Sequence, residues 1–184
     1  MFAAVLPPQE IVEEINRLLA PRREALPMLR WTRPEGWHLT TAFMEDVDEY
    51  RVEPLLDALG EVADHHAPFD LSVGGGYALP HPDTAKIIVL GVSRGSDELE
   101  RLSVACRGAA NRVGAKPDGR RFLGHLTLAR HGRGFPSTKL LAVLDSLGEW
   151  AWRVDEFALM ESHLSTKRYD VVARFPLKGA DALS

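Results

Sequence analysis

Two histidines and two threonines recur in matched positions, since His38-Leu39-Thr40 reappears as His125-Leu126-Thr127. Imidazole titrates near neutral pH, so of two such rings one can take a proton while the other gives one. A hydroxyl beside each ring can donate a hydrogen bond to an oxygen that gains negative charge. Opening a phosphodiester uses that set: a base activates water on one side of phosphorus, and an acid protonates the departing oxygen on the other. A single His-x-Thr is a weak signal, because a strand histidine is usually an ordinary polar group; the second copy and the flanks give this one weight.

The residues that must position these groups read as strands. Both runs, His-Leu-Thr-Thr-Ala-Phe and His-Leu-Thr-Leu-Ala-Arg, alternate and are rich in β-branched and apolar residues. Residues i and i+2 of a strand share a face, which sets each imidazole beside its hydroxyl and turns Leu39 or Leu126 toward a core. The spacing extends beyond the tripeptides. Advanced by 88, residues 55–63 fall on 143–151 with six of nine identical, and Phe69-Asp70-Leu71 falls on Phe157-Ala158-Leu159. An advance of 87 carries residues 2–6 onto 89–93. The pattern predicts a duplicated unit of strand, helix, His-Leu-Thr strand, helix and strand. It predicts one domain over residues 1–184, with pseudo-repeat halves of roughly 1–80 and 84–176.

At 184 residues the chain can bury one substantial core or two small lobes. Its 45% hydrophobic and 26% charged content is that of a globular protein. No apolar run approaches the roughly 20 residues of a membrane span, and the N-terminus lacks a signal-peptide pattern, so a cytoplasmic location is expected. A net charge of −4 argues against coating long nucleic acid, but allows a locally basic cleft. The single Cys106 lies at helical spacing with Leu99, Leu102, Ala109 and Val113 and is expected in the core. His65, His66, His81, His131 and His163 form no ligand spacing with an acidic partner, so neither metal nor cofactor is expected. Gly74-Gly75-Gly76 is not followed by a helix start, which argues for a bulge or strand exit rather than a phosphate loop.

Along the chain, apolar stripes through Ile11, Ile15 and Leu18 and through Val52, Leu55 and Leu59 predict two helices. A third is expected from an N-cap at Ser96 to about Val113, and a fourth opens at Pro136-Ser137. Pro21 and Pro27 bracket a basic connector. Strands are expected near 1–6, 69–73, 86–92, 157–161 and 169–176 beside the two motif strands. The expected architecture is α+β: two-lobed, pseudo-twofold, with mostly antiparallel sheets flanked by helices and a central cleft.

With two His-x-Thr motifs in a duplicated chain, the sequence resembles the 2H phosphoesterase superfamily. The opening Phe-Ala-Ala-Val-Leu-Pro-Pro, the two motifs and the late Phe-Ala-Leu-Met-Glu-Ser resemble more closely the bacterial and archaeal RNA 2′,3′-cyclic phosphodiesterase family, also called 2′-5′ RNA ligase. The resemblance implies metal-independent hydrolysis of a 2′,3′-cyclic phosphate on an RNA end or nucleotide to a 2′-phosphomonoester, with 2′-5′ ligation as related chemistry. It assigns His38 and His125 as the acid and base pair, Thr40 and Thr127 as phosphate ligands, and Arg130 as a cation on the phosphate; analogy alone takes His38 as the acid on the leaving 3′ oxygen and His125 as the base on water, an order the near-twofold repeat leaves open. Simple alternation would turn Arg130 away from Thr127, so a bulge or strand end must redirect it. Its counterpart in the first half is Phe43. Gly124 stands where the family commonly has proline, and Met44-Glu45 where Leu-Gly is usual; local rigidity, not chemistry, is expected to change. Trp31, Trp37 and Phe122 are candidates for stacking on a base, and Arg120, Arg121, Lys167 and Arg168 for lining the RNA approach. A monomer is expected. The alternatives are another 2H enzyme acting on 2′-5′ oligonucleotides or small cyclic nucleotides, and a non-catalytic RNA-end-binding module.

Overall fold

The protein, seen in a computed structural model that describes residues 1–180, begins with β1 (Phe2–Val5), buried at all four positions. Pro7-Pro8 ends it and opens α1 (Gln9–Ala25), which buries Ile15 and Leu19. The helix continues through Pro21, so most of the expected basic connector is its final turn. A short β2 (Arg30–Trp31) and a 3₁₀ turn lead to β3 (Leu39–Phe43), followed by α2 (Glu49–Asp64) and β4 (Phe69–Leu79). The second half runs β5 (Ala85–Arg94), α3 (Ser96–Arg112), β6 (His125–Phe135), α4 (Thr138–Ser146), β7 (Glu149–Val154), β8 (Glu156–His163) and β9 (Arg168–Pro176). Gly95, rather than Ser96, occupies the N-cap of α3.

Two antiparallel sheets give the expected α+β fold, one ordered β3-β1-β8-β9 and the other β2-β6-β5-β4-β7. In each half the first strand pairs with the motif strand, β1 with β3 and β5 with β6. The later strands then change sheets: β4 joins β5, and β8 joins β1. Each sheet therefore contains strands from both halves of the sequence. The sheets share one buried core, to which Leu39 and Leu126, both fully buried, contribute from the two motif strands. Each leucine adds about 1.5–3 kcal/mol of burial, which holds its neighbouring His and Thr on the opposite, open face.

Two features of the repeat differ from expectation. Ala4 lies opposite Thr40 and Val89 opposite Thr127, so the first strands are related by a step of 85 residues, not 87. The identical Leu-Gly-Glu segments also have different conformations. Gly60 lies inside α2, whereas Gly148, at φ 86°, stops the second copy and lets residues from Glu149 form β7. Glycine tolerates that left-handed backbone, and Trp150 and Trp152 suit the pleated surface that follows. The triple glycine is a bulge in β4 centred on Gly75, as expected.

Candidate active site

His38 stands at the head of β3 and His125 opens β6. Each ring is held in the same way: His38 Nδ1–H donates to the Gly36 carbonyl at 2.7 Å, and His125 Nδ1–H to the Leu123 carbonyl at 2.6 Å. A carbonyl only accepts, so Nδ1 carries the proton in both rings and Nε2 remains available to accept or deliver another. The two histidines thus share one tautomer and one kind of anchor, two residues upstream.

Thr40 and Thr127 follow on the same faces, both half-buried. One residue later each strand carries a β-bulge. On β3, Ala42 and Thr40 face the adjacent residues Ala3 and Ala4, which leaves Thr41 as the extra residue. On β6, Ala129 and Thr127 face Ile88 and Val89, which leaves Leu128 extra. The bulge carbonyls find other donors: Ser103 Oγ–H donates to Thr41 O at 2.6 Å, and the Thr32 amide to Leu128 O at 2.8 Å. An inserted residue inverts the alternation beyond it. Arg130, three positions after Thr127, is thereby returned to the Thr127 face, the redirection its role would require.

The electrostatics agree with that placement. Burial lowers the pKa of the His38 imidazole below its ordinary value; the bond to Gly36 opposes the fall, and the nearby His125 and Arg130 add to it. His38, His125 and Arg130 therefore form one electrostatic neighbourhood, although they come from two sheets. Aromatic rings complete the surroundings of His38. Phe2 lies at 4.6 Å between centroids, and Tyr169, delivered by β9, stands edge-on at 5.4 Å.

Several residues differ from their expected places. Trp37 is only 3% exposed and belongs to the core, and Trp31 is fastened by its indole N–H to the Leu26 carbonyl at 3.1 Å. Phe122 lies beside His125, near Leu123 and Tyr77. Of the expected approach cations, Arg120 pairs with Asp118 and Arg168 with Asp170. Arg30 lies directly opposite Arg130 across β2 and β6. Phe43, brought round by the Thr41 bulge as Arg130 is by Leu128, is 41% exposed. The site is thus cationic after one motif and aromatic after the other. Tyr169 and Arg30 gave no local sequence signal, since strand pairings with distant residues bring them here.

The RNA 2′,3′-cyclic phosphodiesterase of Geobacillus stearothermophilus is 31% identical over 185 residues, which cover 97% of this chain and 57% of that relative. The chain thus spans a little over half of that relative's length. The RNA 2′,3′-cyclic phosphodiesterase of Bacillus subtilis (strain 168) is 25% identical over 177 residues, covering 96% of this chain and 95% of the relative. The crystal structure of TT0787 of Thermus thermophilus has the same fold, with a TM-score of 0.74, 22% identity and 98% of both chains covered. Residues 7–166, which contain both motifs, match the family model of the 2′-5′ RNA ligase superfamily, and the chain belongs to that superfamily.

Proposed function

We propose that this protein hydrolyses RNA 2′,3′-cyclic phosphate ends to 2′-phosphomonoesters by a two-histidine acid–base mechanism. The observation that carries the reading is the matched anchoring of His38 and His125, each with Nδ1–H on a carbonyl and Nε2 free for proton transfer. The relatives' names and the superfamily support the substrate class.

His125 Nε2 takes a proton from water, whose oxygen forms a bond to phosphorus. The bond from phosphorus to the 3′ oxygen breaks, and His38, protonated at Nε2, supplies that oxygen with its proton. The 2′ oxygen keeps the phosphate. Burial and the neighbouring Arg130 guanidinium make the His38 imidazolium a stronger proton donor than a free one, and the bound phosphate's negative charge favours its protonated form. Thr40 and Thr127 donate hydrogen bonds to the non-bridging oxygens, Arg130 and Arg30 balance their charge, and Phe43 offers a face for the terminal base to stack on. No step calls on a metal. Both histidines come from one chain, which makes a monomer sufficient, and an RNA-end substrate fits a cytoplasmic enzyme.

The test uses a short RNA ending in a 2′,3′-cyclic phosphate, with chelator present, and compares the wild type with His38→Ala and His125→Ala. The expected product is the 2′-monoester, with losses of about 10²–10⁴-fold in each variant. Full turnover by either variant, or a 3′-monoester product, would refute the mechanism.

A further inference from the structure

Tyr169 belongs to β9, one edge of its sheet, and His38 heads β3, the opposite edge. In a flat sheet three strand spacings would part those edges by roughly 14 Å. The two rings nevertheless meet edge-on at 5.4 Å between centroids. Phe2, on β1 between them, touches both, at 4.6 Å from the imidazole and 5.2 Å from the phenol. The sheet thus curls at this end, and rings from three strands close it. Phe2 is 3% exposed and Tyr169 39% exposed, so the phenol is the outer layer of the cluster.

The same ring rests on the residue that anchors His38. A Cβ on Gly36 would lie 3.4 Å from Tyr169 Cε2, an ordinary packing distance. The Gly36 carbonyl is the acceptor that holds His38 Nδ1–H at 2.7 Å. Tyr169 also lines a solvent-accessible groove of about 700 Å³, with Met160, Val171 and Arg174 among its other walls and no contribution from His38. One side chain therefore touches the imidazole, its anchor and the neighbouring groove.

We propose that Tyr169 is a positioning residue for His38: its ring keeps water of the groove off the imidazole and off the bond to Gly36, so that His38 meets the 3′ oxygen as a fixed, desolvated proton donor. The inference rests on the proposed function, in which His38 is the acid, and it adds a residue that lies outside both motifs. Water at Nδ1 would compete with Gly36 for its proton and free the ring to turn, which takes Nε2 out of line with the leaving oxygen. Screening also bears on acidity, because burial is the largest cause of the lowered His38 pKa. The other groups that face the imidazole are the uncharged Phe2 from β1, and His125 and Arg130 from β6, both of which lower the same pKa.

The experiment compares the wild type with Tyr169→Phe, Tyr169→Ala and Val171→Ala. Val171 lines the same groove opposite Met160 and controls for loosening of the edge strand. Two readings are taken: the titration of the His38 ring resonance without RNA, identified by its absence from His38→Ala, and the pH profiles of kcat and kcat/KM on the cyclic-phosphate RNA. In Tyr169→Ala the pKa of His38 is expected to rise toward its ordinary value, and the alkaline limb of kcat/KM to move to higher pH. Its kcat is expected to fall by up to about 10²-fold, the scale of a small misplacement of a reacting group, with KM little changed. Tyr169→Phe and Val171→Ala are expected to keep wild-type values. An unmoved His38 titration in Tyr169→Ala, or the same movement in Val171→Ala, would overturn the inference. A loss in Tyr169→Phe equal to that in Tyr169→Ala would also overturn it, by giving the role to the hydroxyl. So would a raised KM at constant kcat, which would make Tyr169 a substrate contact. A wild type that does not hydrolyse the cyclic phosphate would instead remove the proposed function, whereas the titration of His38, read without substrate, tests the screening by Tyr169 separately.

Discussion

The Arg130 guanidinium, on β6, helps hold the His38 imidazole, at the head of β3, below its ordinary pKa. Burial is the larger cause, and His125 acts in the same direction ahead of Arg130. Replacing Arg130 by Gln removes one of these influences, so the pKa of His38 rises. If His38 is the acid, activity is lost as pH climbs through that pKa, and the alkaline limb of the rate profile moves to higher pH. A pH profile of kcat/KM on Arg130→Gln checks this. Movement of the acidic limb would reverse the two histidines' roles.

Arg30 and Arg130 are directly opposed across β2 and β6. Like charges so placed repel, at a cost of about 0.2–1 kcal/mol, unless an anion lies between them. Arg30→Gln is therefore expected to match or slightly exceed the wild type in thermal stability without ligand. Inorganic phosphate should raise the melting temperature of the wild type by more than that of the variant. Equal shifts would show that Arg30 does not sense the phosphate.

Thr40 and Thr127 hold equivalent places, one residue before each bulge. Thr40→Val and Thr127→Val keep strand shape and remove the hydroxyl proposed to donate to the phosphate oxygens. Removing one donor of that kind costs about 10²–10³-fold in kcat. Unchanged circular dichroism with such a loss is the expected outcome, and near wild-type kcat in both variants would exclude the hydroxyls from the reaction.

Cys106 is fully buried, and burial pushes its thiol up to about 12. The reactive thiolate is then scarce at neutral pH. A disulfide reagent should leave the native protein unmodified and label one thiol after denaturation; fast labelling of the native protein would contradict this burial.

Which chemistry to look for was legible in the local pattern. His38-Leu39-Thr40 and His125-Leu126-Thr127 determined by themselves that a ring and a hydroxyl would share one face, because strand alternation is a property of neighbouring residues. The leucine between them likewise determined the buried side. The same local reasoning missed β7, since Leu-Gly-Glu reads as a helix end in both copies and only the positive φ of Gly148 separates them.

Other features waited on contacts between distant parts of the chain. The exchange of β4 and β8 between sheets, the bulges at Thr41 and Leu128, the opposition of Arg30 to Arg130 and the approach of Tyr169 to His38 each depend on a register between remote strands. Trp37 was a plausible stacking residue by position and became a core residue by packing. Sequence determined the candidate groups of the proposed reaction and the faces they share, since those follow from the backbone's two-residue period. Tertiary structure decided which cation reaches them, how far His38 is desolvated and which rings lie against it, because charge and burial act through space rather than along the chain.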